Sequence, residues 1–158
     1  MFRKHICIVT ELLSISLYDL IEANQFRPIE MHHIRTFAIQ ILNALVFLRD
    51  NSIIHSDLKP ENILLKNKSK TGIKLIDFGT SMFSHEATYM YIQSRFYRAP
   101  EVILGAIYDY SIDMWSLGCL LAELHLGYPI FAGSNEQEQL SLIMQILGEP
   151  PKEMLMVC

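Results

Sequence analysis

Asp57, Lys59, Asn62 and Asp77 are the residues of this chain whose types and spacing could do chemistry together. The first three lie in Ile53-Ile54-His55-Ser56-Asp57-Leu58-Lys59-Pro60-Glu61-Asn62, and the fourth opens Asp77-Phe78-Gly79. A carboxylate at 57 could take a proton from an attacking hydroxyl, and an ammonium at 59 could steady a moving phosphoryl group. Asn62 and Asp77 supply the hard oxygen ligands that Mg²⁺ takes beside nucleotide phosphates. That chemistry is phosphoryl transfer. Oxygen ligands alone carry little weight, because Asp and Asn are also the commonest loop residues.

Two apolar runs must position these groups. Ile53-Ile54 leads into the loop and Ile63-Leu64-Leu65 leads out of it. A polar turn over 67–72 then returns the chain through Ile73, Leu75 and Ile76 to Asp77. The pattern predicts a hairpin, with Asp57 and Lys59 before its first strand and Asp77 just past its second.

The order of the strings narrows the reading. His-x-Asp with Asn five positions after the Asp, then Asp77-Phe78-Gly79, then Ala99-Pro100-Glu101, resembles the ordered motif set of protein kinases. Tyr89-Met90-Tyr91-Ile92-Gln93-Ser94-Arg95-Phe96-Tyr97-Arg98-Ala99-Pro100-Glu101 is similar to the activation segment of the dual-specificity tyrosine-phosphorylation-regulated (DYRK) kinases of the CMGC group, over residues 2–151 of the chain. The resemblance implies a mainly α fold with a small β-hairpin, the large C-terminal lobe of a kinase. Residues 1–13 would be the last small-lobe strand and hinge. Residues 14–158 would be a partial large lobe, with catalytic loop 53–62 and activation segment 77–101, truncated after the helix known in kinases as αG.

The same resemblance implies roles. Asp57 would be the general base and Lys59 the phosphoryl-stabilising cation, with Asn62 and Asp77 holding Mg²⁺. Thr10 as gatekeeper, backbone groups of Glu11 and Leu13, and Leu64 would complete an ATP site. Asp113 would brace the catalytic loop, with His55, Phe78 and Glu101 in structural roles. Tyr91 would be the autophosphorylation site, its phosphate gripped by Arg95 and Arg98; the alternative is a packed aromatic beside two solvated arginines. Ser56 departs from the Arg of most kinases and from the Cys usual in this family. Substrates would be protein Ser and Thr hydroxyls, with Pro after the target residue as a CMGC expectation.

The rest of the chain reads from periodicity. Residues 5–13 are rich in Ile, Val and Leu and predict a buried strand. Ser14–Phe26 predicts a short amphipathic helix with Leu17, Leu20 and Ile21 on one face. A second helix over about 30–50 buries Ile34, Phe37, Ile41, Leu45 and Leu48 at three- and four-residue spacing. His32 and His33 lie early on it; with no convergent partner in view they read as surface histidines. Residues 80–98 have no sustained period. A buried helix over Ile112–Leu126 stops at Gly127 and Pro129, its Ser116, Gly118 and Ala122 read as small residues for close packing. Ser134 with Gln137 predicts a capping box for a last helix burying Leu140, Ile143, Met144 and Leu147.

With 158 residues the chain suffices for one core. The charge of -4, from 13 basic and 17 acidic residues, includes no basic block, so no nucleic-acid footprint is present. Arg3-Lys4 with the 6–13 run mimics a signal peptide but contains Glu11. The 114–126 run is too short for a bilayer. Three dispersed cysteines, Cys7, Cys119 and Cys158, read as two buried thiols and a tail residue in a reducing intracellular compartment, cytoplasmic or nuclear. No glycine precedes Gly72, so the sequence holds no glycine-rich phosphate loop before the hinge, nor the small-lobe Lys and Glu. Three readings follow: a DYRK-type kinase represented by part of its catalytic domain, a non-catalytic remnant or interaction module, or a lobe completed by a small lobe from another chain.

Overall fold

A computed structural model describes residues 3–67, 69–87 and 91–155. Its longest elements are three helices. α1 (Leu17–Ala23) is started by Ser16, whose hydroxyl accepts from the Asp19 N–H while the Asp19 carboxylate accepts from Ser16. α2 (Met31–Asp50) holds neither Gly nor Pro and buries Ile34, Phe37, Ile41, Leu45 and Leu48, the face that its periodicity predicts. Burial of each such side chain contributes roughly 1.5–3 kcal/mol. By length and mean hydropathy α2 could cross a bilayer, but this face is packed into the core.

Four short strands connect α2 to the activation segment. β1 (Ile53–Ile54), β2 (Ile63–Leu65), β3 (Ile73–Leu75) and β4 (Met82–Phe83) form two antiparallel pairs. β2 and β3 make the predicted hairpin, with Ile63 opposite Leu75. β1 pairs with β4, so Ile53 faces Phe83 and the chain after Asp77 is tied back beside the catalytic loop. That second pair is absent from the sequence reading, because two-residue strands leave no periodicity.

The remaining helices are α3 (Pro100–Ile103), α4 (Ser111–Leu126), α5 (Glu136–Leu147) and α6 (Lys152–Leu155). α4 reaches all three core clusters: Leu117, Leu120 and Leu124 pack with α1 and α2, Ile112 with Ile54 and Met82, and Cys119 with Tyr97 and Phe131. Gly127 ends α4 in the left-handed region at φ 87°, and a Cβ there would lie 1.9 Å from the Phe26 carbonyl oxygen. The Ile29 N–H donates to the Leu124 carbonyl at 2.9 Å, locking the start of α2 onto the end of α4.

Several expectations are corrected. Residues 6–13 are not a buried strand: Ile6, Ile8, Val9 and Leu12 are 85–97% exposed, and their backbone has no sheet neighbour among the described residues. The backbone of 14–16 joins the fold, through Ser14 N–H to the Leu65 carbonyl and Leu65 N–H to that of Ile15, each 2.8 Å. α5 is capped by Asn135 accepting from the Glu138 N–H, one residue later than predicted, and Ser134 donates to the Glu138 carboxylate instead. Its buried side carries Gln139 and Ile143, while Leu147 is exposed. Gly118 faces open space, and Cys7 is exposed. Cys158 and Tyr89 lie outside the described residues.

Candidate active site

Ile54 is fully buried and fixes where the catalytic loop begins. The next two backbone N–H groups, of His55 and Ser56, donate to the Asp113 carboxylate at 2.8 and 2.9 Å. Burial raises the Asp113 carboxyl above the ordinary range, and those two amides and His55 act against the rise. Ser56 sits at φ 63°, a left-handed conformation that non-glycine residues adopt only when the surroundings enforce it. Its hydroxyl donates to the Thr80 carbonyl at 2.6 Å, and the Ser81 hydroxyl returns a bond to the His55 carbonyl at 3.0 Å. These reciprocal bonds lash the chain after Asp77-Phe78-Gly79 to the catalytic loop.

His55 is wholly buried and works from both ring nitrogens. The Asp57 N–H donates to Nδ1 at 3.2 Å, which leaves Nε2 as the protonated nitrogen facing the Ile76 carbonyl at 3.0 Å. Phe78 meets the His55 ring edge-on at 5.0 Å.

Asp57 is the hub. Its Oδ2 accepts from Lys59 Nζ at 2.8 Å and from Asn62 Nδ2 at 3.0 Å, and its Oδ1 accepts from the Ser94 hydroxyl at 2.7 Å. Lys59 also donates to Ser94 at 3.0 Å, closing a three-residue ring. Burial raises the Asp57 carboxyl, but hydrogen bonds from Lys59 and Ser94, the Lys59 charge and the Asn62 amide together hold it below the ordinary carboxylate range. An ionised carboxylate accepting a hydroxyl at hydrogen-bond distance is the arrangement a general base requires.

Asn62 is buried, with its amide also donating to the Asp57 carbonyl at 2.8 Å; no described residue donates to its Oδ1. Asp77 is exposed at φ 62°, its carboxylate accepting from the Gly79 N–H at 3.2 Å. Two oxygen donors, one neutral and one anionic, with few competing protein contacts, fit a hard cation such as Mg²⁺. The residues expected to flank adenine are less enclosed. Thr10 and Glu11 are exposed, Leu13 and Leu64 are half-buried, and the Glu11 carboxylate pairs with Lys74 at 2.8 Å.

Downstream, the two arginines separate. Arg98 is 2% exposed and donates to the carbonyls of Ile92 and Gln93 and to Glu136, each at 2.7 Å. Its guanidinium carbon lies 4.3 Å from the centre of the Tyr91 ring. Arg95 instead donates to the carbonyls of Ser134 and Gly133 at 2.8 and 3.3 Å. Of the two arginines expected to grip a phosphate on Tyr91, Arg98 lies against the unmodified ring and Arg95 is engaged by the Gly133 and Ser134 carbonyls. Glu101 makes no side-chain hydrogen bond or ion pair among the described residues.

Ser94 and Gln93 were not singled out from sequence. Gln93, at φ 64°, donates to Ile112 and Ser116 and accepts from the Ala99 N–H at 2.9 Å, fixing the segment that delivers Ser94 to Asp57. Neither a half-buried hydroxyl nor a single buried amide carries a periodic signal, and both residues lie in a stretch that has none.

The protein kinase domain family matches residues 2–154. The chain belongs to the protein kinase family. Within it, the chain is similar to kinases of the DYRK branch. It is 56% identical over 98% of its length to a probable serine/threonine-protein kinase, dyrk2, of Dictyostelium discoideum. It is 55% identical over 99% to dual specificity tyrosine-phosphorylation-regulated kinase 2 of Drosophila melanogaster, and 55% over 95% to kinase 4 of that name from Homo sapiens. It spans 17%, 22% and 29% of those relatives' own lengths. The mainly α fold, with its two small antiparallel strand pairs, is consistent with the large lobe of that family's domain.

Proposed function

We propose that this segment carries the phosphoryl-transfer machinery of a DYRK-type protein kinase, moving the γ-phosphate of ATP to Ser and Thr hydroxyls of proteins. The observation that carries the reading is the Ser94 hydroxyl donating to Asp57 at 2.7 Å beside Lys59, which marks the oxygen where a substrate hydroxyl would be deprotonated. Asn62 and Asp77 would hold Mg²⁺, which supplies neutralisation of phosphate charge when bound. Thr10, Glu11, Leu13 and Leu64 would flank adenine. Tyr91 would be the autophosphorylated residue, with Arg98 already against its ring. Targets followed by Pro are the family expectation for substrates, and the unpaired Cys7 and Cys119 suit a reducing intracellular setting.

The exposed apolar side chains of the 6–12 stretch favour a second reading, in which this chain keeps the lobe as an interaction module or acts with a small lobe from another chain. Calorimetric titration of the chain with ATP·Mg²⁺ separates the two. The kinase reading predicts micromolar binding that Asp77→Ala abolishes. A folded chain that binds no nucleotide would favour the second reading.

A further inference from the structure

Glu30, His32 and His33 converge where α2 begins. Sequence offered the two histidines no partner; the fold supplies one. The Glu30 carboxylate lies 3.2 Å from His32 Nδ1, the two imidazole centres are 3.9 Å apart, and one ligand atom from each of the three residues lies within 4.8 Å of the others. The geometry points to a surface site for a borderline divalent metal of the Zn²⁺ class, held by these three side chains and separate from the Asp57 cluster.

The distances support this directly. Metal–nitrogen and metal–oxygen bonds of about 2.0–2.1 Å at tetrahedral angles set ligand atoms about 3.3–3.4 Å apart. The Glu30–His32 edge, at 3.2 Å, already has about that length, and rotation of side chains would have to close the rest from within 4.8 Å. Glu30 and His32 have the freedom for it, being 78% and 66% exposed, and Glu30 makes no capping bond that rotation would break. Imidazole nitrogen selects Zn²⁺, Ni²⁺ or Cu²⁺ over Mg²⁺. The carboxylate matters more than its single bond, because the free amides at the start of α2 place positive potential at this spot. Glu30 and His33 also line a groove of about 510 Å³ between α1, α2 and the β2–β3 turn, so a fourth coordination position opens onto free volume.

The test is calorimetric titration of ZnCl₂ into the full, tag-free chain, repeated with His32→Ala, His33→Ala and Glu30→Gln. Two controls accompany them: His85→Ala, which removes an exposed histidine 3.8 Å from Glu86, and Asp77→Ala, which removes the hard-ligand site. One zinc per chain is expected. Each of the three variants should weaken it by at least about tenfold, since even outer-shell substitutions cost about 10–100-fold. The controls should leave it unchanged, and MgCl₂ should not compete. Zinc binding that survives His33→Ala, that falls equally in His85→Ala, or that is absent from the native chain overturns the site. Circular dichroism of each variant separates lost ligation from lost fold.

Discussion

Asp57 concentrates more of the site than any other side chain: Lys59, Asn62 and Ser94 all donate to its carboxylate. Those bonds lower its folded-state pKa relative to the unfolded chain. A lowered carboxylate contributes stability that is present above the unfolded pKa and is lost as pH falls through the folded one. Asp57→Asn lacks this titration. The stability gap between the native chain and Asp57→Asn should therefore shrink as pH is lowered from about 5 to about 2. Urea denaturation midpoints across that range measure it; a pH-independent gap would show that the bonds do not favour the ionised form. That Asp57, Lys59 and Asn62 meet was legible because their spacing is fixed by a loop that short-range pattern encodes. Ser94 was not, since it reaches Asp57 only through the Gln93 network with α4. The direction of Arg95 was hidden too, being set by carbonyls at the start of α5.

Among the helices, periodicity gave α2 correctly because its buried residues all join a single core cluster. α5 shows where that logic fails. Asn135 caps its start, and the Gln139 side chain accepts from the Gly133 N–H at 2.9 Å, so a polar residue is buried while Leu147 is exposed. α4 offers a paired test of glycine. At Gly127 the left-handed φ of 87° and the Phe26 carbonyl 1.9 Å from a built Cβ both exclude a side chain. Gly127→Ala should destabilise the fold by on the order of 2–4 kcal/mol, since the backbone must leave that region or the α1–α2 turn must shift. Gly118→Ala, in the same helix with nothing within 4 Å, should stabilise by about 0.8–1.0 kcal/mol. Urea midpoints decide both. A neutral Gly127→Ala would mean that the turn yields at no cost and does not lock α4 to the start of α2.

The molecule as a whole displays an apolar strip that its own core does not cover. Ile6, Ile8, Val9 and Leu12 are 85%, 86%, 94% and 97% exposed and lie outside any helix or strand, although composition alone suggests a buried strand. Composition could not settle this, because a strand needs a neighbouring strand and no described residue provides one. Covering one such side chain is worth roughly 1.5–3 kcal/mol, so the strip offers roughly 6–12 kcal/mol to a partner. Association itself costs about 4–15 kcal/mol, so self-association through the strip should be weak and should grow with concentration. Sedimentation velocity over a concentration series should show the weight-average coefficient rising for the native chain and staying flat for Ile8→Lys/Leu12→Lys. Phe47→Lys on α2, where the side chain is 66% exposed but outside the strip, should behave like the native chain. A flat native profile would show that exposure here carries no adhesive consequence. Equal relief by Phe47→Lys would place the contact on α2 instead, and the 6–12 stretch would then be apolar without being an interface.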